Sequence, residues 1–148
     1  MDAELEREET ELGFVQMERR GRAFLERPAP RVRLVRYEGI ISGGVVPALI
    51  EELETAIAAH GSVHLFVDAE ELASYNTEFR RAWTAWLGAN RDHLDSVHLL
   101  FRSRVVQMGV NVVNPLIGNY LTPHSDRRKF EAELGSKLDA TAAAAATA

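Results

Sequence analysis

Apolar positions along the middle of the chain switch between the period of a strand and the period of a helix. Two strand-like runs, Arg22–Glu26 and Arg31–Tyr37, flank Pro28 and Pro30, which remove two backbone donors and favour a turn. We therefore predict a hairpin here. From Val45 to His60, large apolar residues recur at helical spacing with glutamates on the other side, which predicts an amphipathic helix followed by a capping glycine.

The second half of the chain continues this alternation. Short apolar runs predict strands over Val63–Asp68, Ser96–Phe101 and Tyr120–Pro123. Helices are predicted after them, with an apolar stripe from Phe79 to Leu87, a second helix from Ser103 to about Gly118, and a third over Arg128–Leu138. Strands separated by single helices imply right-handed crossovers. The sequence thus predicts an α/β fold with a mixed sheet of about five strands, a parallel core and four packing helices.

The two ends differ from this middle part. Residues 1–12 are rich in glutamate and offer only Leu5 and Leu12 as large apolar groups, so we predict that residues 1–19 form an acidic N-terminal extension. From residue 140 onward only alanine and threonine occur, which predicts a disordered alanine-rich tail over 139–148. One domain over residues 20–138 remains between them.

Composition excludes several classes of function. The 148 residues carry a formal net charge of −5, whereas binding to nucleic acid or to an anionic membrane needs a cationic field. The absence of cysteine removes disulfides, thiolate metal sites and thiol catalysis. The N-terminus has no apolar leader segment, and no apolar run reaches the length of a membrane-spanning helix. We therefore expect a cytoplasmic protein with no membrane insertion and no nucleic-acid partner.

The most informative junction follows the strand that ends at Asp68. The polar segment after it, predicted to be a loop, carries Ser74, Tyr75, Asn76 and Thr77. Ligands and partners of α/β sheets gather beyond the carboxyl ends of the strands, which predicts a regulatory or partner-binding site here. Asn76 or Thr77 is also the expected cap of the next helix. A phosphate on Ser74 or Thr77 would add negative charge near Asp68 and the neighbouring glutamates and would repel a partner.

Arg102, Ser103 and Arg104 are predicted to stand beside the same loop, where a strand ends and a helix begins. Guanidinium groups and helix amides together favour an anion or an acidic partner. The simpler interpretation is that both arginines pair with surface carboxylates and that Ser103 only caps the helix.

Other candidate chemistry is weak. His64 and His98 hold equivalent places in two strands and are predicted to lie close together, but no further histidine has the spacing of a metal ligand. The run His124-Ser125-Asp126 has the residue types of a hydrolase, yet adjacent residues cannot adopt the geometry of a catalytic triad. No phosphate loop, dinucleotide fingerprint or nucleophile elbow occurs. The sequence predicts no metal site, no cofactor and no enzymatic activity.

Two stripes of side chains offer surfaces instead. Gln107, Asn111 and Asn114 recur on one side of the helix after Ser103, and such an uncharged amide stripe suits a homodimer or partner interface. Apolar side chains at helical spacing are candidates to line a ligand cavity between sheet and helices, although ordinary core packing explains them as well: Phe79, Trp83, Trp86 and Met108.

The order of elements resembles the STAS fold, specifically the SpoIIAA-like group that is also described as STAS/SEC14-like. The resemblance covers about residues 20–137, and the segments that carry it are Gly39, Leu49–Ile57, Val63–Asp68, Phe79–Trp83 and Phe130–Ala132. In the anti-sigma-factor antagonists of this family, phosphorylation of a serine at the start of the helix after the central strand switches partner binding. Those antagonists carry an Asp-Ser pair followed by glycine, whereas this chain has Leu72 to Glu78 there, and only Ser74 and Thr77 stand in the matching segment.

The function that these features favour is a non-enzymatic regulatory domain that binds another protein, with phosphorylation after the central strand as the implied switch. The alternative, from the SEC14 side of the resemblance, is a small carrier or sensor that holds an apolar ligand between sheet and helices.

Overall fold

The computed structural model describes residues 5–147, with side chains described as far as residue 140. It contains four α-helices and seven strands. In chain order they are β1 (Glu6–Glu9), β2 (Gly13–Met17), β3 (Gly21–Ala29), β4 (Val32–Ile41), α1 (Val46–His60), β5 (Val63–Tyr75), α2 (Thr77–Ala89), β6 (Leu94–Phe101), α3 (Arg104–Ile117), β7 (Leu121–His124) and α4 (Arg127–Thr147). None of these helices is long and apolar enough to cross a membrane.

All seven strands form one sheet in which the spatial order is the chain order, β1 to β7. Strands β1 to β4 pair antiparallel, and β4 to β7 pair parallel. The hairpin around Pro28 and Pro30 is confirmed, since β3 pairs with β4 there. The predicted parallel core and four helices are also confirmed, whereas the predicted number of about five strands is too small.

The two additional strands correct the predicted N-terminal extension over residues 1–19. Phe14 and Val15 on β2 are buried, because β3 pairs with β2 and supplies Leu25 and Phe24 as their direct neighbours. The guanidinium group of Arg7 on β1 lies over the Phe14 ring, 3.9 Å from its centroid. Residues 1–4 lie outside the described part of the chain. The segment looked too polar to fold alone, but it is ordered by strand pairing.

The predicted disordered tail over 139–148 is corrected as well. Helix α4 continues to Thr147, which is consistent with the high helix propensity of alanine, while Ala148 lies outside the described residues. Phe130 anchors this helix in a small apolar cluster with Val32, Phe66 and Leu100, and Leu134 and Leu138 pack against the cluster. Helix α4 therefore covers one face of the sheet.

The opposite face carries the main core. Helices α1, α2 and α3 all pack there, because each crossover between successive parallel strands returns on the same side. The predicted caps are confirmed, since Asn76 accepts a hydrogen bond from the backbone N–H of Phe79 and Ser103 accepts one from that of Val106. The strand predicted to end at Asp68 runs on to Tyr75, so the predicted loop is mostly strand.

Candidate functional site

An open cleft lies where the parallel strands β4 and β5 end, next to the turn between β2 and β3. We call it the carboxyl-edge cleft. Its volume is about 420 Å³, and its lining comes from the amino-terminal segment, that turn and the two strand ends: Leu5, Glu18, Arg19, Arg20, Ile40, Ile41, Ser42, Gly44, Ser74, Tyr75 and Asn76. The cleft thus opens where the antiparallel half of the sheet meets the parallel half.

Two polar side chains that line this cleft bind the backbone of the segment after β4. Glu18 accepts a hydrogen bond from the backbone N–H of Ser42 at 2.9 Å and another from the Ser42 hydroxyl. The Asn76 side-chain oxygen accepts from the backbone N–H of Gly43 at 3.0 Å and from that of Phe79 at 2.9 Å. Asn76 therefore ties the end of β4 to the start of α2, and its role in the site is to position the backbone.

Arg19 and Arg20 give the cleft its charge. Both are exposed, and within residues 5–140 neither is part of an ion pair. Among the described residues that line the cleft, the one carboxylate is that of Glu18, and Ser42 already engages it. Two guanidinium groups without a carboxylate partner favour an anionic group in this cleft.

The structure brings three of the predicted site residues together. Ser74, Tyr75 and Asn76 all line the cleft, although they lie at the end of a strand and not in a loop. Thr77 is exposed at the first residue of α2 and does not line the cleft. The structure therefore places three of these four residues around one cleft.

The sequence did not reveal Glu18, Arg19 and Arg20 as site residues, because they were assigned to the extension. A usable signal was present in the chain. The polar run Glu18-Arg19-Arg20-Gly21 separates two apolar runs, a pattern typical of a hairpin turn between strands.

Asp68 does not belong to this site. It is 7% exposed, and its carboxylate accepts a hydrogen bond from Arg127 of α4 at 2.8 Å on the opposite face of the sheet. Arg127 also donates to Glu70, and these hydrogen bonds raise the pKa of its guanidinium group. Asp68 and Arg127 thus fasten the start of α4 to β5, and the expected repulsion between a phosphate and Asp68 is not supported.

The predicted cluster of Arg102, Ser103 and Arg104 is likewise separate from the cleft. Arg102 lies 3.9 Å from the carboxylate of Glu71, with both side chains exposed. Ser103 caps α3, and Arg104 is exposed at the start of that helix. Arg102 and Ser103 agree with the simpler interpretation of surface pairing and capping, whereas Arg104 forms no ion pair within residues 5–140.

An apolar cavity lies between the sheet, α2 and α3. Its volume is about 80 Å³, and its lining includes Phe79 and Trp83, as predicted. Trp86 and Met108 are wrong as lining residues. The Trp86 indole N–H donates to Glu54 of α1 at 3.3 Å, and Met108 points outward with 66% of its surface exposed.

Tyr75 closes this cavity from the side of the cleft. Its ring lines the cavity, and its hydroxyl donates to the backbone carbonyl of Val105 on α3 at 3.2 Å. A Cβ atom at Gly109 would overlap the Tyr75 hydroxyl, so the close approach of Tyr75 to α3 requires glycine there. Tyr75 therefore links the carboxyl-edge cleft to the cavity.

The predicted amide stripe on α3 divides into two parts. The side chain of Asn114 pairs with β7, donating to the carbonyl of Leu121 at 2.9 Å and accepting from its N–H at 3.1 Å. Gln107 and Asn111 are exposed. Asn114 thus anchors an edge strand, and only the other two residues remain available at the surface.

His64 and His98 lie on the same face of neighbouring strands, as predicted, but the register places Ser96 opposite His64 and Phe66 opposite His98, so the two imidazoles are offset by two residues. His98 instead shares a hydrogen bond of 2.9 Å with His124 of β7, beneath α4. Burial and the neighbouring His124 lower the pKa of His98 to about 4, and burial also lowers the pKa of His124. His64 contacts Ser96. Within the described residues, no group of three or more metal-ligating side chains comes together.

No protein-family model matches the chain, and no curated protein matches it. Among solved structures, an anti-sigma factor antagonist from Mycobacterium paratuberculosis is similar. The alignment covers 72% of this chain and 89% of the other, with 16% sequence identity and a TM-score of 0.49. At this identity and TM-score, the similarity says nothing about the partner or the activity of this chain.

Proposed function

We propose that this chain is a non-enzymatic regulatory domain that binds another protein at the carboxyl-edge cleft, and that phosphorylation of Ser74 switches this binding. The observation that carries the proposal is the composition of the cleft. Ser74 shares an open cleft with Arg19 and Arg20, which have no carboxylate partner in residues 5–140. A hydroxyl and two unpaired guanidinium groups form a chemically matched set for adding and holding a phosphate.

The electrostatics of the switch follow from this set. A phosphoserine carries a charge of about −1.5 to −2 near neutral pH and accepts strong hydrogen bonds from arginine. In the unmodified protein, Arg19 and Arg20 are available to an acidic group of a partner. After phosphorylation, the phosphate on Ser74 competes for the same arginines, so the partner loses its charged contacts. The switch works by internal competition and needs no change of fold.

The modification is tested on protein purified from its own cells. Native mass spectrometry followed by peptide mapping should find a phosphate increment at Ser74. Thr77 provides a matched control position, because it is also a hydroxyl residue nearby but does not line the cleft. Phosphate found only on Thr77 would contradict the switch, and so would protein without phosphate under all growth conditions. Either result would leave the binding proposal to the next experiment.

Partner binding is tested separately by site-specific photo-crosslinking in living cells. A photoreactive residue at Ser74 should yield an adduct with one predominant protein. Added as an unlabelled competitor, the Ser74→Glu variant should reduce the yield of this adduct less than wild-type protein does. The control position is Ala59, which is exposed near the end of α1 and far along the chain from the cleft residues. Equal adduct patterns at both positions would reject the cleft as the binding site.

The alternative function, a carrier of an apolar ligand, depends on the apolar cavity. A volume of about 80 Å³ is smaller than the roughly 150 Å³ of a cavity that accepts benzene. A larger ligand would enter only if Tyr75 moved away from α3. The same native mass spectrum decides this point, since a stoichiometric apolar adduct would favour the carrier and an adduct-free protein would count against it.

A further inference from the structure

Helix α3 carries two apolar stripes, which lie about 120° apart around its axis. Its inner side buries Val106, Val110, Val113 and Ile117 against the sheet and α2. Its outer side exposes four more large apolar residues, which recur at steps of three or four positions: Val105 (47% exposed), Met108 (66%), Val112 (49%) and Leu116 (69%). An exposed apolar stripe next to a buried one is typical of a helix that is covered there as well. We call the second stripe, with Asn111 at its edge, the outer face of α3.

We infer that a second copy of this chain covers the outer face of α3, giving a two-fold symmetric dimer. The distribution of charge along the chain favours a second copy as the partner. The chain carries a net charge of −5, yet no Asp, Glu, Lys or Arg occurs between Arg104 and Asp126. The residues of α3 that would meet in such a pair after Arg104 carry no charge, and the uncharged amide of Asn111 lies at the edge of the contact.

The spacing of the stripe also suits pairing with itself. Met108, Val112 and Leu116 form a ridge of residues four apart, the kind that packs against an identical ridge of a second helix. In an antiparallel pair, Val112 lies on the two-fold axis and Met108 of each copy faces Leu116 of the other. The contact is therefore closed and leaves no apolar residue of the ridge exposed.

The area is adequate for a weak dimer. At the exposed fractions given above, the four apolar side chains offer about 400 Å² per copy, which lies within the size range of functional patches on monomers. For the two copies together the apolar stripes give about 800 Å², which lies in the size range of weak, transient interfaces. We expect association in the micromolar range. This inference is independent of the carboxyl-edge cleft.

The oligomeric state is measured by sedimentation velocity of the full chain over a range of micromolar concentrations. Wild type should approach twice its mass of 16.5 kDa as its concentration rises. Val112→Lys should raise the dissociation constant by about 100-fold or more, because the two lysines would face each other in an apolar contact. Leu116→Lys, at the most exposed position of the ridge, is a second variant in case the first fails to fold. A wild type that stays monomeric, or a dimer that survives both changes, would overturn the inference.

Symmetry is tested by disulfide formation, since the chain has no cysteine of its own. Val112→Cys should give a covalent dimer at least ten-fold faster than Ala59→Cys, which places a cysteine on an exposed part of α1. Equal rates at the two positions would overturn the two-fold arrangement, and so would capture of a different protein by a photoreactive residue at position 112 in place of a second copy.

Discussion

Acidification from about pH 7 to about pH 5 should destabilise this protein through His98. The pKa of His98 lies at about 4 in the folded chain, against 6.5 for an unperturbed histidine. The unfolded chain therefore takes up a proton below about pH 6.5 that the folded chain refuses until about pH 4. Stability is fully present above the unfolded pKa and is lost as the pH falls through this window.

The magnitude follows from the two pKa values. Between about pH 7 and about pH 5, one such histidine lowers the free energy of unfolding by about 2 kcal/mol. His124 and His64 act in the same direction, because burial lowers the pKa of each. The positive charge is unfavourable at His98 because the ring is buried beneath α4 and lies next to His124.

The assay is urea unfolding at both pH values, followed by tryptophan fluorescence, with His98→Phe as the variant. Phenylalanine keeps an aromatic ring on Phe66 but cannot be protonated, so the variant should lose about 2 kcal/mol less than wild type over this pH range. The matched control is His93→Gln, which removes an exposed histidine and should retain the wild-type pH dependence. An equal loss in His98→Phe and wild type would refute the reasoning.

Two further substitutions test contacts that hold the site in place. Arg127→Ala should lower the free energy of unfolding by about 2 kcal/mol in urea titrations, because the buried carboxylate of Asp68 loses its charged partner. Gly109→Ala should destabilise the protein by at least about 1 kcal/mol, since the new Cβ displaces Tyr75 from its contact with α3. Gly88→Ala, at an open position on α2, should instead stabilise it by up to about 1 kcal/mol.

The outcomes that contradict these two predictions are distinct. Wild-type stability of Arg127→Ala would mean that Asp68 is satisfied without its arginine. The exposed change Glu131→Ala serves as its control, because that residue makes only a surface pair with Arg127 within α4. For the two glycines, the decisive result is the sign of the change in the free energy of unfolding. Equal changes for Gly88→Ala and Gly109→Ala would mean that Tyr75 moves without cost and is not held against α3.

The sequence predicted those helices and strands whose own residues show an apolar period or a capping side chain. Helix α1 was placed within one residue of its start because its apolar period is strong, and α2 and α3 were located by their capping side chains. The strand β2 was missed because its burial depends on a neighbouring strand. The five residues Gly13–Met17 carry no sequence pattern that identifies a strand by itself, and they are buried only because β3 pairs with them.

The site was only partly predictable for a related reason. Ser74, Tyr75 and Asn76 were predicted to lie in a loop after Asp68, whereas β5 continues to Tyr75. Which face a strand residue occupies and which side chain it contacts depend on pairing, so the contacts of Asp68 with Arg127 and of His98 with His124 were not predicted. Arg19 and Arg20 entered the site only through the overlooked hairpin. The positions of these residues depend on strand pairing in the folded chain and not on local propensity.

The agreement between sheet order and chain order has a consequence for how the protein is made. Every strand pairs with its predecessor, so a chain emerging from a ribosome can add each strand to the growing edge without waiting for a later one. The exception is the face formed by Val32, Phe66 and Leu100, which Phe130 of the last helix covers. During synthesis this apolar face stays open until the final segment is released, and a stalled chain would present it to chaperones.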